Sequence, residues 1–368
     1  MNKMVVANLI HRPLRSLISI VAIAVEVTLI LVIVGLSIGI LNDGKQRQRG
    51  IGADVMVQPP GASAIGQLSG APAPIKIADK LRALPHVAVV TPVVTQLNTS
   101  GSVEVIYGID LPSFEALGGP LHYLEGGRFQ GTYDAIIDDY LADAKHLRVG
   151  DSIKILGPHP FHISGIIQHG RGGRKFLPLA TMQDLLGAQG KASIFYVKTD
   201  DPKNADLVVQ EIKNIPGMSD YGVRTMQDWL SMMTPETVPG FSTFINVVIG
   251  VAVIIGFIVI FQAMYTAVME RTREIGILKS MGASKSYIVN VILRETLLLA
   301  IVGIITGIAI SALTRMGLVT RFPTIRIELT AHWILRACII ALVGAAFGAI
   351  YPAFKAAQKD PIDALAYE

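Results

Sequence analysis

Four long apolar runs decide most of what this chain can become. A helix that crosses a bilayer needs roughly 20 apolar residues, because the hydrocarbon core is about 30 Å thick and each helical residue rises about 1.5 Å. The runs at 17–41, 241–269, 288–313 and 333–354 are that long, and a stretch of ordinary polar composition, 42–240, separates the first two. Charged residues make up 16% of the chain, against about 25% in a typical soluble protein. The sequence therefore predicts an α-helical membrane protein with four transmembrane helices and one large water-exposed domain. The net charge of +4 is modest. It reads as Lys and Arg beside a membrane rather than as a nucleic-acid surface. Cys338 is the only cysteine and lies in the fourth run, so the chain cannot close a disulfide on itself.

The first run is preceded by Lys3, Arg12 and Arg15, as a signal peptide would be. It exceeds the 7–15 residues of a cleavable apolar region and passes into "NDGKQRQRG" without an A-x-A-like site, which favours an uncleaved anchor. Lys and Arg set the direction. They occur in the amino-terminal segment 1–16, in the 270–287 loop (Arg271, Arg273, Lys279, Lys285) and in the 355–368 tail (Lys355, Lys359). Four spans place these three regions on one side, the cytoplasmic one. The short loop 314–332 and the large domain 42–240 then lie outside. Arg315, Arg321 and Arg326 in the short loop run against this bias.

The large domain reads as mixed α+β. "ADVMVQPPG" is a short strand ending in a turn, and "IKIADKLRALPHV" has helical spacing. "VAVVTPVVTQLNTSGSVEVIYGID" is two strands around a Ser-Gly turn, and "VGDSIKILGPHPFHISGII" is two around a Gly-Pro turn. A strand at "ASIFYVKTD", a helix at 205–214 and a strand at "SDYGVRT" follow. The expectation is an α/β unit built from both ends of the region, with a β subdomain inserted at about 112–180. The Gly/Ser-rich "PPGASAIGQLSG" before "APAPI" reads as a flexible connector.

Several groups invite chemistry. Glu26 sits inside the first span, where a carboxylate is costly and faces a protein interior or a water path. It could pair with a cation, serve a proton or substrate route, or be a protonated acid bonded to a neighbouring helix. Asn246 and Gln262 in the second span read as inter-helix glue. His159, His162 and His169 lack an accompanying Cys or acid, so a metal site is disfavoured. "HGRGGRKF" is a basic loop that reads as a solvated hairpin tip or a contact to an anionic partner. Gly35/Gly39, Gly303/Gly307 and Gly344/Gly348 are G-x-x-x-G pairs, which let helices approach closely within one chain or between copies. The nearest approach to a G-x-x-x-x-G-K-[ST] phosphate loop, "GAQGK", lacks the spacing and the hydroxyl. No Ser/His/Asp or Cys/His set has useful spacing, so catalytic and metal-binding residues are not expected.

The loop between spans two and three, "ERTREIGILKSMGAS", is the densest signal. Glu270, Arg271, Arg273 and Glu274 can pair at i,i+3 and i,i+4 on a short helix. Ile275, Ile277, Leu278 and Met281 supply apolar contacts, Gly282 suits a helix stop, and Ser284 or Ser286 can cap the next helix. Such a ridge fits a groove on a partner or a lipid surface.

This stretch resembles the signature of the MacB/FtsX-type ABC transporter permeases. "ANLIHRPLRSLISIVAIAVEV" is similar to that family's lead into its first span, and "YPAFKAAQKDPIDALAYE" to its tail. The resemblance implies a type VII ABC transporter-like fold in a bacterial cytoplasmic membrane. It makes 270–282 a coupling helix that docks on an ATPase. A separate subunit would bind ATP and Mg, so the chain would have no cofactor of its own. The implied assembly pairs two permeases, as homo- or heterodimer, with two ATPases. Membrane lipid surrounds it, and a periplasmic adaptor or other external protein is a further possible partner. The expected activity is export or extraction of an amphiphile by mechanotransmission. The alternative is a regulator that moves no substrate and signals to a cell-wall hydrolase.

Overall fold

The structure, a computed structural model, describes residues 13–61, 73–98, 104–237 and 240–358. The lead before Pro13, most of the expected connector, the Ser-Gly turn near 100 and the tail beyond Gln358 lie outside these residues. The chain forms two compact units. One holds the described residues of 13–39, 240–320 and 325–358, the other 40–237 and 321–324.

The helix α1, Pro13–Gly50, starts on a proline and ends with Arg47 and Arg49 in its last turn. Both ends suit helix chemistry, since proline needs no N–H in the first turn and cations complement the carboxyl-terminal dipole. After it come β1 (Val55–Gln58), β2 (Ala73–Pro74), α2 (Ile77–Arg82), β3 (Val87–Asn98), β4 (Glu104–Ile109), α3 (Leu111–Gly118), β5 (Tyr123–Gly126), β6 (Asp134–Asp138) and α4 (Asp139–Lys145). There follow β7 (Ser152–Ile153), β8 (Phe161–Ile167), β9 (Lys175–Pro178), α5 (Leu179–Leu185), β10 (Lys191–Ala192), β11 (Ile194–Thr199), α6 (Ala205–Asn214), β12 (Gly222–Thr225) and α7 (Met226–Met232). Asp110, Asp138 and Thr225 cap α3, α4 and α7 by accepting from backbone N–H groups three residues on, the usual role of a short polar side chain at that position.

The main sheet has the order β12-β1-β11-β3-β4-β9-β6-β8-β5, with β7 added on β8. The β4–β9 and β6–β8 pairs are parallel and the rest antiparallel. Alternate residues of a strand face opposite sides, and the core divides accordingly. Met56, Tyr196, Val93, Tyr107, Phe176 and Ile136 form one continuous face, covered by α3 and α7. The opposite face carries two clusters. Val55, Val57, Phe195 and Val197 meet α2 and α6, while Ile106, Ala135, Ile137 and Leu177 meet α4 and α5. The expected β subdomain at about 112–180 is therefore not a sheet of its own. Its strands extend the common sheet through β4–β9, and it brings helices of its own. Parallel pairing between strands far apart in sequence leaves no local signal to show this.

The membrane unit consists of the span of α1 with α8 (Phe241–Glu270), the short α9 (Thr272–Ser280), α10 (Lys285–Arg321) and α11 (Ala331–Gln358). The four long helices are each apolar enough to cross a membrane, and each exceeds the predicted span. The first eight residues of the expected loop 314–332 are helical. Small residues bring the helices together. Gly303 and Gly307 abut Ile23, Ala24 and Val27 of α1, and Gly348 abuts Ile260 of α8. Gly35 and Gly39 pack on the backbone at 326–328, where the Glu328 amide donates to the Gly35 carbonyl at 2.9 Å. All three glycine pairs are thus occupied within one chain.

Candidate functional site: the α9 helix and its seat

A single residue, Arg271, separates α8 from α9. At the other end the Ala283 amide donates to the Leu278 carbonyl and the Gly282 amide to that of Lys279, both at 3.0 Å. Gly282 has φ +94°. This is a Schellman stop, whose left-handed residue is cheapest as glycine. Ser284 then caps α10, its hydroxyl accepting from the Tyr287 amide at 3.2 Å.

Between these ends α9 has two unlike faces. Thr272, Ile275 and Gly276 are buried. Ile277 and Met281 are 44% and 71% exposed and sit one turn apart. Arg273, Glu274 and Glu270 are exposed around them, and Leu278 is half-buried. Beneath the helix lies an apolar cavity of about 320 Å³, lined by Met264, Val268, Ile275, Leu278, Ile288 and Ile292, with Arg271, Glu274 and Glu295 among its polar lining.

The helix is held by charge as well as by packing. Arg271 donates from Nη1 to both oxygens of Glu295 on α10, at 3.0 and 3.4 Å, and Glu295 is 2% exposed. Lys279 donates to the Ala357 carbonyl of α11 at 3.0 Å. The sequence-based pairing of Glu270, Arg271, Arg273 and Glu274 within the helix is represented by Arg271 and Glu274 at 4.0 Å. Its reach is secondary to the Glu295 bond. Glu295 carried a readable signal. It is the only carboxylate between Glu274 and Glu328 and stands at the head of an apolar run, where a carboxylate needs a partner.

The intramembrane polar residues separate. Glu26 is 3% exposed, with its carboxylate against Gly256 of α8. Its Oε1 finds no hydrogen-bond partner among the described residues. Asn246 and Gln262 are exposed on α8. They are not glue within this chain, because both side chains are exposed.

In the water-exposed unit the loop "HGRGGRKF" is not a solvated tip. Arg171 donates to the Pro120 and Phe114 carbonyls. Arg174 donates to Asp43 at 3.0 Å, to Asp138 at 3.3 Å and to the Thr324 carbonyl at 3.2 Å. Lys175 is buried on Glu104. Burial pushes the Asp138 carboxyl up to about 6, against the pull of Arg174. The three histidines diverge. His169 bonds Asp139 and Tyr140 at 2.9 and 2.8 Å, His159 packs on Tyr133, and His162 pairs in β8.

Comparison with known proteins agrees with this layout. A model of the MacB-like periplasmic core domain matches residues 16–215, and one of the FtsX-like permease C-terminal domain matches 246–361. The macrolide export ATP-binding/permease protein MacB of Rhodopirellula baltica is 32% identical over 184 residues, 47% of this chain and 26% of that protein. The ABC transporter permease YknZ of Bacillus subtilis is 29% identical over 233 residues, 60% of this chain and 57% of that one. The chain thus spans from about a quarter to somewhat over half of these relatives. The crystal structure of the periplasmic region of MacB from Actinobacillus actinomycetemcomitans aligns with 50% of this chain and 94% of that one, at 18% identity and a TM-score of 0.37. With the periplasmic core model over more than half of its residues and the permease model over its last helices, the chain belongs to the MacB/FtsX family of ABC transporter permeases.

Proposed function

We propose that this permease converts nucleotide-driven motion of an ABC ATPase into movement of its water-exposed domain, and so exports or extracts an amphiphile across or from a bacterial cytoplasmic membrane. ATP and Mg belong to the ATPase, as a separate subunit or as a domain of the kind that the MacB relatives' name records. The carrying observation is the two-faced α9. One face is bolted to α10 through Arg271 and Glu295 and packed through Ile275. The other offers Ile277 and Met281 bare, ringed by Arg273 and Glu274. Apolar anchors inside a charged collar suit a protein groove, where the anchors supply affinity and the collar register. A helix lying on lipid would turn its cations outward to headgroups, whereas here Arg271 turns inward and the exposed Arg273 is flanked by the exposed carboxylates of Glu270 and Glu274.

The outward face of α8 supports a second copy. Phe244, Val247, Val251, Ile254 and Ile258 are exposed there, beside the amides of Asn246 and Gln262. Amides facing hydrocarbon are costly, and a partner helix would relieve them.

The test is detergent co-purification of the native ATPase on wild type and on Ile277→Asp. A buried, unpaired charge costs several kcal/mol, so the variant should lose the ATPase while keeping its thermal stability and insertion. A wild-type bait that retains no ATP-binding protein overturns the docking reading and leaves α9 a lipid-surface helix.

A further inference from the structure

Beyond the span of α1 the helix continues, and its last two turns carry a feature that the permease reading does not use. Lys45 and Arg49 are one turn apart on α1 and line a cleft of about 580 Å³ with Met226, Leu230, Gln227 and Ser231 of α7. The lining contains two cations and no carboxylate. Among the described residues neither cation makes an ion pair or hydrogen bond. Their neighbour Arg47, by contrast, is bound to Asp43 at 3.0 Å.

Three observations converge on the occupant. First, charge: two cations without a partner among the described residues, beside Met226 and Leu230, complement an anion that carries an apolar body. Second, depth: Lys45 and Arg49 follow Leu41, where the apolar run ends, by four and eight residues of unbroken helix. At about 1.5 Å per residue they stand roughly 6 and 12 Å beyond the hydrocarbon, so Lys45 lies within the headgroup layer, about 5–8 Å thick on each side, and Arg49 just outside it. Their flexible stems can reach back toward it. Third, side: these cations lie within the region matched as a periplasmic core domain, and Lys and Arg accumulate on the opposite side of most membrane proteins. Their position therefore runs against the topological trend and calls for a role there.

We infer that this cleft is a binding site for the headgroup of an anionic phospholipid in the outer leaflet, with Lys45 and Arg49 as its phosphate ligands and Met226 and Leu230 beneath the glycerol and upper acyl chain. Occupation would tie α7 to α1 at the membrane surface and make the external unit responsive to the lipid around it.

The test uses the full chain in detergent and native mass spectrometry. Lysophosphatidylglycerol and lysophosphatidylcholine are titrated against wild type, Lys45→Gln/Arg49→Gln and Lys45→Arg/Arg49→Lys. Wild type should prefer the anionic lipid by about thirtyfold, the order expected for two headgroup-level cations. The glutamine pair should lose the preference, and the charge-conserving pair should keep it. Inorganic phosphate should fail to displace the lipid at matched concentration. The inference is overturned if wild type shows no preference, if the glutamine pair retains it, or if inorganic phosphate competes equally, which would mark a free-anion site. Lysophosphatidylcholine binding retained at the wild-type level by the glutamine pair separates a lost preference from a folding defect.

Discussion

Two buried carboxylates in apolar helices of one unit, Glu295 and Glu26, are almost equally hidden, at 2% and 3% exposure. Glu295 accepts two hydrogen bonds from Arg271, while Glu26 keeps an oxygen without a partner among the described residues and lies against a glycine. Burial alone therefore does not define what such a group does. Glu295 is half of a bolt between α9 and α10, so its value lies in position. A buried ion pair adds little net stability over an apolar pair but fixes register, and breaking one half is expensive. Among the described residues Glu26 has no counter-charge, and the glycine it lies against leaves its carboxylate as a polar point in a packed interior.

The contrast is broken most severely by Arg271→Ala. Stranding Glu295 should cost about 3–5 kcal/mol, read as a lowered unfolding midpoint of the detergent-solubilised chain, with recovery in Arg271→Ala/Glu295→Leu. A loss under about 1 kcal/mol, the scale of an exposed pair, would mean that water reaches the pair and that α9 is not bolted.

A third carboxylate sharpens the comparison from the water-exposed unit. Asp138 is paired with Arg174, yet burial holds its carboxyl at about 6 in place of the usual 3.8. The sign follows from linkage. A folded value above the unfolded one means that stability from this group is present below about 4 and lost as pH rises through about 6. Wild type should lose roughly 3 kcal/mol relative to Asp138→Asn across that window, read by hydrogen exchange of the β6 and α4 amides. A difference that does not vary with pH would show that Arg174 fully compensates the burial.

The smallest effect is expected at Glu26. Glu26→Gln should shift the unfolding midpoint by the equivalent of about 1 kcal/mol or less, since an orphan oxygen has no bond to forfeit. Glu295→Gln should cost more, because it removes the buried charge to which Arg271 donates. Equal losses at the two positions would erase the distinction.

Parts of the coupling region were legible before folding. Gly282 and Ser284 announce a helix stop and a cap because these are local devices, set by one residue's backbone freedom and one hydroxyl's reach. The apolar ridge of Ile277 and Met281 was likewise visible as spacing. The partner of Arg271 was not, since Glu295 lies on the next helix, beyond the turn. The loop "HGRGGRKF" misled for a related reason. Glycine and basic residues usually mark solvated turns, but here Asp43, Asp138 and Glu104, distant in sequence, neutralise and bury the charges.

The sequence by itself determined that four helices are long and apolar enough to cross a membrane, that a mixed α+β domain interrupts them, and that a short helix stops at Gly282. These follow from hydropathy over a bilayer's thickness, from the twofold and 3.6-fold periods of side chains, and from capping, all of which act over a few turns. Only the tertiary structure decided that 112–180 joins one sheet, that Asn246 and Gln262 are exposed, that Glu295 takes Arg271, and that, among the described residues, Glu26 keeps an unbonded oxygen and Lys45 and Arg49 have no partner. Those outcomes depend on which distant segments are brought together, and pairing across a fold has no periodicity that a linear sequence can display.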